Sequence, residues 1–142
     1  MASVAKAQTS NGNFGNKKEI HRVTYDFSVD AGATGVLTIF TAGADLIITD
    51  FMALVKTTCT SAGSMTLAVG TVADDDKFVD SVAVASLVST APLQRPPLVE
   101  GTPNTSNIPT FLASGLSIIQ TIEVAALTAG KIEYVIECIR LA

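Results

Sequence analysis

Catalysis needs side chains that exchange protons or attack an electrophilic centre, and this sequence holds few of them. Its single histidine, His21, stands where a Ser-, Asn- and Gly-rich opening stretch gives way to alternating residues. Ser-His-Asp arrangements assemble in space, so the sequence leaves one open at His21. A hydrolase would need His21 buried beside a carboxylate and facing an exposed serine. The motif G-x-S-x-G is absent, however, and a histidine on an arm lacks the fixed surroundings a general base requires. The expectation is a protein that is not an enzyme.

Metal and phosphate chemistry fare no better. H-E-x-x-H, paired C-x-x-C, the P-loop and G-x-G-x-x-G are all missing, and no cofactor is expected. The best cation candidate is the run Asp74, Asp75, Asp76, because calcium prefers several carboxylate oxygens. Consecutive side chains diverge, and the alternating acids of an EF-hand are not there. A helix cap or a solvated turn is the expected role. Cys59 and Cys138 are too few for a disulfide framework. Cys138 alternates with apolar residues, so a buried reduced thiol is expected ahead of a Cys59–Cys138 bridge. Asn104-Thr105-Ser106 fits the glycosylation pattern, but the opening residues lack the apolar core of a secretory signal.

The elements that must carry these residues read as strands. The chain has 142 residues, 48% of them hydrophobic and 15% charged, which suits one globular domain. No apolar run approaches the roughly 20 residues of a bilayer span, so no membrane partner is expected. Residues 1–16 lack periodicity and are expected to form a flexible N-terminal arm, with a β-sandwich domain over 17–142. From Arg22, alternation sets Val23, Tyr25, Phe27 and Val29 on one face of a strand. A second strand spans 36–40, after which Gly43 offers a turn by taking a positive φ cheaply. The stretch 46–58 is long for one strand and is expected to bend near Thr49–Asp50. Residues 59–63 then turn the chain into SMTLAVG. The segment 73–88 admits either a short helix, capped by its acids with Phe78, Val82 and Ala85 on one face, or an extended strand favoured by its valines. The proline-rich stretch 91–110 reads as a long loop of the kind that is usually functional or interfacial. Two strands, 116–126 and 131–142, are expected to form a hairpin around LTAG at 127–130. In the second, Ile132, Tyr134, Ile136 and Cys138 share a face.

Charge is unevenly placed. Up to Arg22 there are four basic residues (Lys6, Lys17, Lys18, Arg22) against one acid, and beyond it five against twelve, within a net charge of −4. Either the basic segment is a solvated tail, or it docks on an acidic neighbour. An acidic body repels phosphate, so nucleic acid is not an expected partner. Tryptophan is absent and aromatics make up 6%, which weakens the case for a sugar-stacking platform.

Three stretches resemble a known group: Y-D-F-x-V-D-x-G (25–32), G-S-x-T-L-A-V-G-T (63–71) and A-L-T-A-G-K (126–131). They are similar to capsid decoration, or cement, proteins of tailed bacteriophages, and the resemblance spans roughly 22–141. It implies an all-β sandwich of jelly-roll type. It also implies a homotrimeric structural virion protein on the outer surface of the capsid that bridges subunits of the major capsid protein. Lys6, Lys17, Lys18 and Arg22 are then the candidate docking residues. A glycan- or receptor-binding module of a phage fibre or head spike is the alternative, with the loop 91–110 as the lip of its pocket.

Overall fold

Period-two alternation of apolar and polar residues becomes nine strands in the computed structural model, which describes residues 18–89, 98–99 and 108–141. They are β1 (Lys18–Asp26), β2 (Gly35–Thr41), β3 (Leu46–Ser61), β4 (Thr66–Thr71), β5 (Val79–Ala83), β6 (Leu98–Val99), β7 (Thr110–Leu112), β8 (Ser117–Glu123) and β9 (Leu127–Arg140). One sheet has the order β1-β9-β3-β7 and the other β2-β8-β4-β5-β6. The antiparallel pairs are nested in sequence: β1 with β9, β2 with β8, β3 with β7, β4 with β5. One long hairpin has thus been rolled up, and β9–β3 and β8–β4 pairings seal the roll. This is the jelly roll, with β6 added in parallel at one edge. Residues 1–17, with Lys6 and Lys17, lie outside the described residues, as do most of the loop 91–110 and Asn104–Ser106.

The core fills the gap between the sheets. Phe51 of the first sheet stacks on Phe78, which directly precedes β5 of the second, at 4.9 Å between centroids, and tilts against Tyr134. Ile132, Tyr134, Ile136 and Cys138 all point inward and are buried, as their alternation requires. The buried Tyr134 hydroxyl donates to Gln120 Oε1 at 2.6 Å, a polar tie between the sheets.

Four local expectations are corrected and one open alternative is decided. β1 stops at Asp26, and Phe27–Asp30 forms a single helical turn, α1. Asp26 Oδ1 accepts from the Ser28 N–H (3.0 Å) and hydroxyl (2.6 Å), and the Asp26 N–H donates to Asp30 Oδ2. These local bonds outcompete the sheet ladder, and Val29 is left 80% exposed instead of facing the core. The segment 73–88 takes its extended alternative, as a turn, then β5, then a 3-10 turn at Val84–Ser86. Pairing of Leu67 with Val82 and Val69 with Val79 decides the choice, since β-branched side chains fit a sheet well. LTAG is no hairpin turn. Leu127 is buried and its N–H donates to Gly32 O, which draws the segment into β9. The chain turns at 124–126, where Val124 has φ 71°, and β8 and β9 lie in different sheets. Lastly, β3 runs through Cys59 to Ser61, beyond the expected turn, and Gly43 is not among the positive-φ residues. The bend in β3 does fall at Thr49, where the register slips and Thr49 Oγ1 donates to Glu137.

Both cysteines are buried and free. Gly130 packs on Cys59, and Cys138 lies eight residues further along the same strand, about 26 Å away at ~3.3 Å per residue. That is far beyond disulfide reach.

Asp26 makes acid stability legible. The Ser28 hydroxyl first, then Lys131 with its Nζ at 2.9 Å, hold its carboxyl at about 2, below the ordinary 3.8. A depressed folded value contributes stability above the unfolded value that is lost as pH falls. The melting temperature should therefore drop between pH 4 and 2, and Asp26→Asn should make the drop shallower. Parallel profiles for the two proteins would count against this assignment.

Candidate docking surface

The residues singled out for chemistry are dispersed. His21, on β1, gives its Nε2 to Glu19 Oε2 at 3.0 Å and sets its ring 4.9 Å from Phe40 of β2, at the seam where the two sheets meet. It is therefore beside a carboxylate on a regular strand, and its side chain is only 35% exposed. Asp74, Asp75 and Asp76 occupy the turn between β4 and β5. Thr71 and Asp74 exchange backbone bonds there, and Asp74 lies 3.8 Å from Lys77 Nζ. A hydrogen bond with Asp76 raises the Asp74 carboxyl above its ordinary value, followed by desolvation. The three acids do not converge as a donor trio. Among the described residues one such trio occurs elsewhere, at Glu19, His21 and Cys138.

Of the four candidate docking cations, Lys18 and Arg22 are described. Both sit on the outer face of β1, where the alternation places them, and both are paired within the chain. Lys18 Nζ lies 3.2 Å from Glu137 Oε1, and Arg22 Nη2 lies 2.6 Å from Glu133 Oε1. The partners come from β9, because the register sets Arg22 opposite Val135 and Lys18 opposite Ile139. Pairing of this kind at a surface contributes little to stability. What it does is neutralise part of the positive charge on the outer face of β1.

The sheet edges carry a different signal. The first sheet ends at β1 and β7, and the second has β2 at one end. Each of these strands exposes a large apolar side chain: Ile20, Phe111 and Val36. At the β7 edge, Phe111 (57% exposed) joins Val72 and Leu116 around a groove of about 610 Å³ that also includes Pro109, Thr110 and Lys77. Several exposed apolar side chains around one groove mark an interaction site more than scattered ones do. Sequence reasoning missed this groove. Its one local signal was the apolar pair Phe111-Leu112, separated from Pro109 by Thr110 alone. The other wall, from the β4–β5 turn, is brought in by tertiary packing alone.

The architecture defines a jelly-roll β-sandwich whose outward chemistry is apolar edges and paired charges. No protein-family model matches the chain, and no curated protein matches it. Solved structures do. A chain of the cyanophage Pam1 capsid asymmetric unit aligns with a TM-score of 0.59 at 16% identity, covering 91% of this chain and 89% of that one. A chain of the acidic stable capsid structure of the Helicobacter pylori bacteriophage KHP30 aligns with a TM-score of 0.56 at 11% identity, covering 88% and 89%. At such identities the likeness establishes a shared fold.

Proposed function

We propose that this chain is a structural virion protein of a bacteriophage head. It binds the outer surface of the capsid as a homotrimer and bridges subunits of the major capsid protein. The observation that carries the reading is the fold shared, along nearly the whole of both chains, with chains of two phage capsid structures. Two features of the chain support the finer part. Exposed apolar side chains on the edge strands suit edge-to-edge packing of copies, and an acidic body favours a position away from packaged DNA. The basic residues Lys6 and Lys17, continuing into Lys18 and Arg22, then dock the arm on an acidic neighbour.

Co-sedimentation with heads lacking the protein tests the reading. Full-length chain should pellet with them, and deletion of residues 1–16 should weaken binding while the fold stays intact. Undiminished binding of the truncated chain would remove the arm from the account. Phe111→Asp tests the edge. Phe111 is more than half exposed, so the fold should tolerate the change, whereas the trimer should weaken by about tenfold or more, as for a buried aromatic anchor. Sedimentation velocity reads both the trimer and its loss, and a monomeric wild type would end the trimer reading.

A further inference from the structure

The seam between β1 and β9 holds a set of donors that the docking role does not use. Glu19 and His21 are two apart on β1, so both side chains point inward. Cys138 lies directly opposite Glu19 in the register. One donor atom from each, a carboxylate oxygen, an imidazole nitrogen and a thiol sulfur, fall within 4.8 Å of one another. We propose that Glu19, His21 and Cys138 bind a divalent transition metal ion of the zinc type, which staples the edge strand β1 to β9.

Three observations converge on this assignment. The donor set is mixed N, S and O, which suits zinc, whereas calcium and magnesium take oxygen alone. The carboxylate is already oriented: Arg140 Nε donates to Glu19 Oε1 at 2.9 Å, which turns Oε2, the oxygen bonded to His21 Nε2, toward the other two donors. An outer partner that fixes one oxygen of a ligating carboxylate is a usual part of metal sites. Access is also graded. Cys138 is fully buried at the floor, while the side chains of Glu19 and His21 are 25% and 35% exposed, so an ion enters from the seam. Ligand bonds of about 2.0–2.3 Å place donors roughly 3.5 Å apart around a tetrahedral ion. Rotation of the two exposed side chains closes that difference, and water takes the fourth position. Binding breaks the Glu19–His21 hydrogen bond, shifts the His21 ring proton from Nε2 to Nδ1, forms three metal–ligand bonds and releases the Cys138 thiol proton to solvent. The proposal stands on this chain alone and does not depend on the capsid reading.

Cobalt(II) is the probe, added to the reduced, full-length protein. The expected result is one ion per chain, with visible bands of tetrahedral cobalt and a near-ultraviolet thiolate-to-cobalt charge-transfer band, all removed by added zinc. The charge-transfer band should persist in Cys59→Ala and vanish in Cys138→Ala. Glu19→Gln and His21→Asn, both at partly exposed positions, should keep the fold by circular dichroism and lower cobalt affinity at least about tenfold each, as loss of a ligand does. A second readout is the melting temperature, which a given zinc concentration should raise in the wild type and raise less in Glu19→Gln. Absence of the charge-transfer band in the wild type overturns the proposal, and so does its persistence in Cys138→Ala.

Discussion

Phe51→Ala should remove about 3–5 kcal/mol of folding stability, the usual range for truncating a buried aromatic. Phe51 is completely buried at the middle of β3, its ring stacked on Phe78 at 4.9 Å and tilted against Tyr134 at 5.7 Å. The three rings come from both sides of the sandwich, so the cavity opens between its layers and neither layer can close it alone. A domain of this size has about 5–15 kcal/mol in total. The loss should appear as a fall of roughly 10–20 °C in melting temperature. Phe111→Ala is the matched control. It removes the same ring from an exposed edge and should change stability by about 0.5 kcal/mol or less. Urea unfolding of the two variants checks the contrast, and a cost below about 1 kcal/mol for Phe51→Ala would move the core elsewhere.

Gly70→Ala should be nearly as damaging, for the opposite reason. A Cβ at Gly70 would overlap the carbonyl oxygen of Asp74 and lie 2.6 Å from backbone atoms of both Asp75 and Lys77. Those atoms are backbone and cannot swing away. The turn is also anchored on both sides, by the mutual Thr71–Asp74 bonds and by the Phe78 N–H donating to Val69 O. Lifting the turn would pull on Phe78 and hence on its stack with Phe51. A cost at or above the top of the ~1–3 kcal/mol overpacking range is expected. Gly43→Ala sets the baseline: a Cβ there meets nothing within 4 Å and the backbone is not at positive φ, so the change should be neutral or slightly stabilising. Equal melting temperatures for Gly70→Ala and Gly43→Ala would mean that the turn does not rest on Gly70. The turn forms one wall of the apolar groove at Phe111, so Gly70→Ala should weaken any assembly that uses that groove as well.

Much of the fold was legible in the sequence. Strand character follows from alternation within a few residues, and so Tyr134, Ile136 and Cys138 could be assigned to one buried face without knowing their neighbours. The bend at Thr49 was legible for the same local reason, an apolar run too long for one flat strand. Where a short-range hydrogen bond competes with the ladder, alternation misleads. Asp26 and Ser28 end β1 by bonding to each other, although Phe27 and Val29 keep the apolar rhythm. The resemblance to phage head proteins carried the jelly roll, which alternation alone could not distinguish from other sandwiches.

By itself the sequence determined that the chain is β-rich, where most strands lie, which faces are apolar and how its charge divides. These are properties of neighbouring residues, which a pleated strand expresses locally. Only the tertiary structure decided that 116–126 and 127–140 go to different sheets, that Lys18 and Arg22 meet Glu137 and Glu133, and that Glu19 and His21 meet Cys138. Each of those outcomes depends on pairing between strands more than a hundred residues apart or on choosing between two sheets. Nested pairing of β1 with β9 and β2 with β8 is selected by how the whole roll buries its apolar faces, and no short window of sequence contains that information.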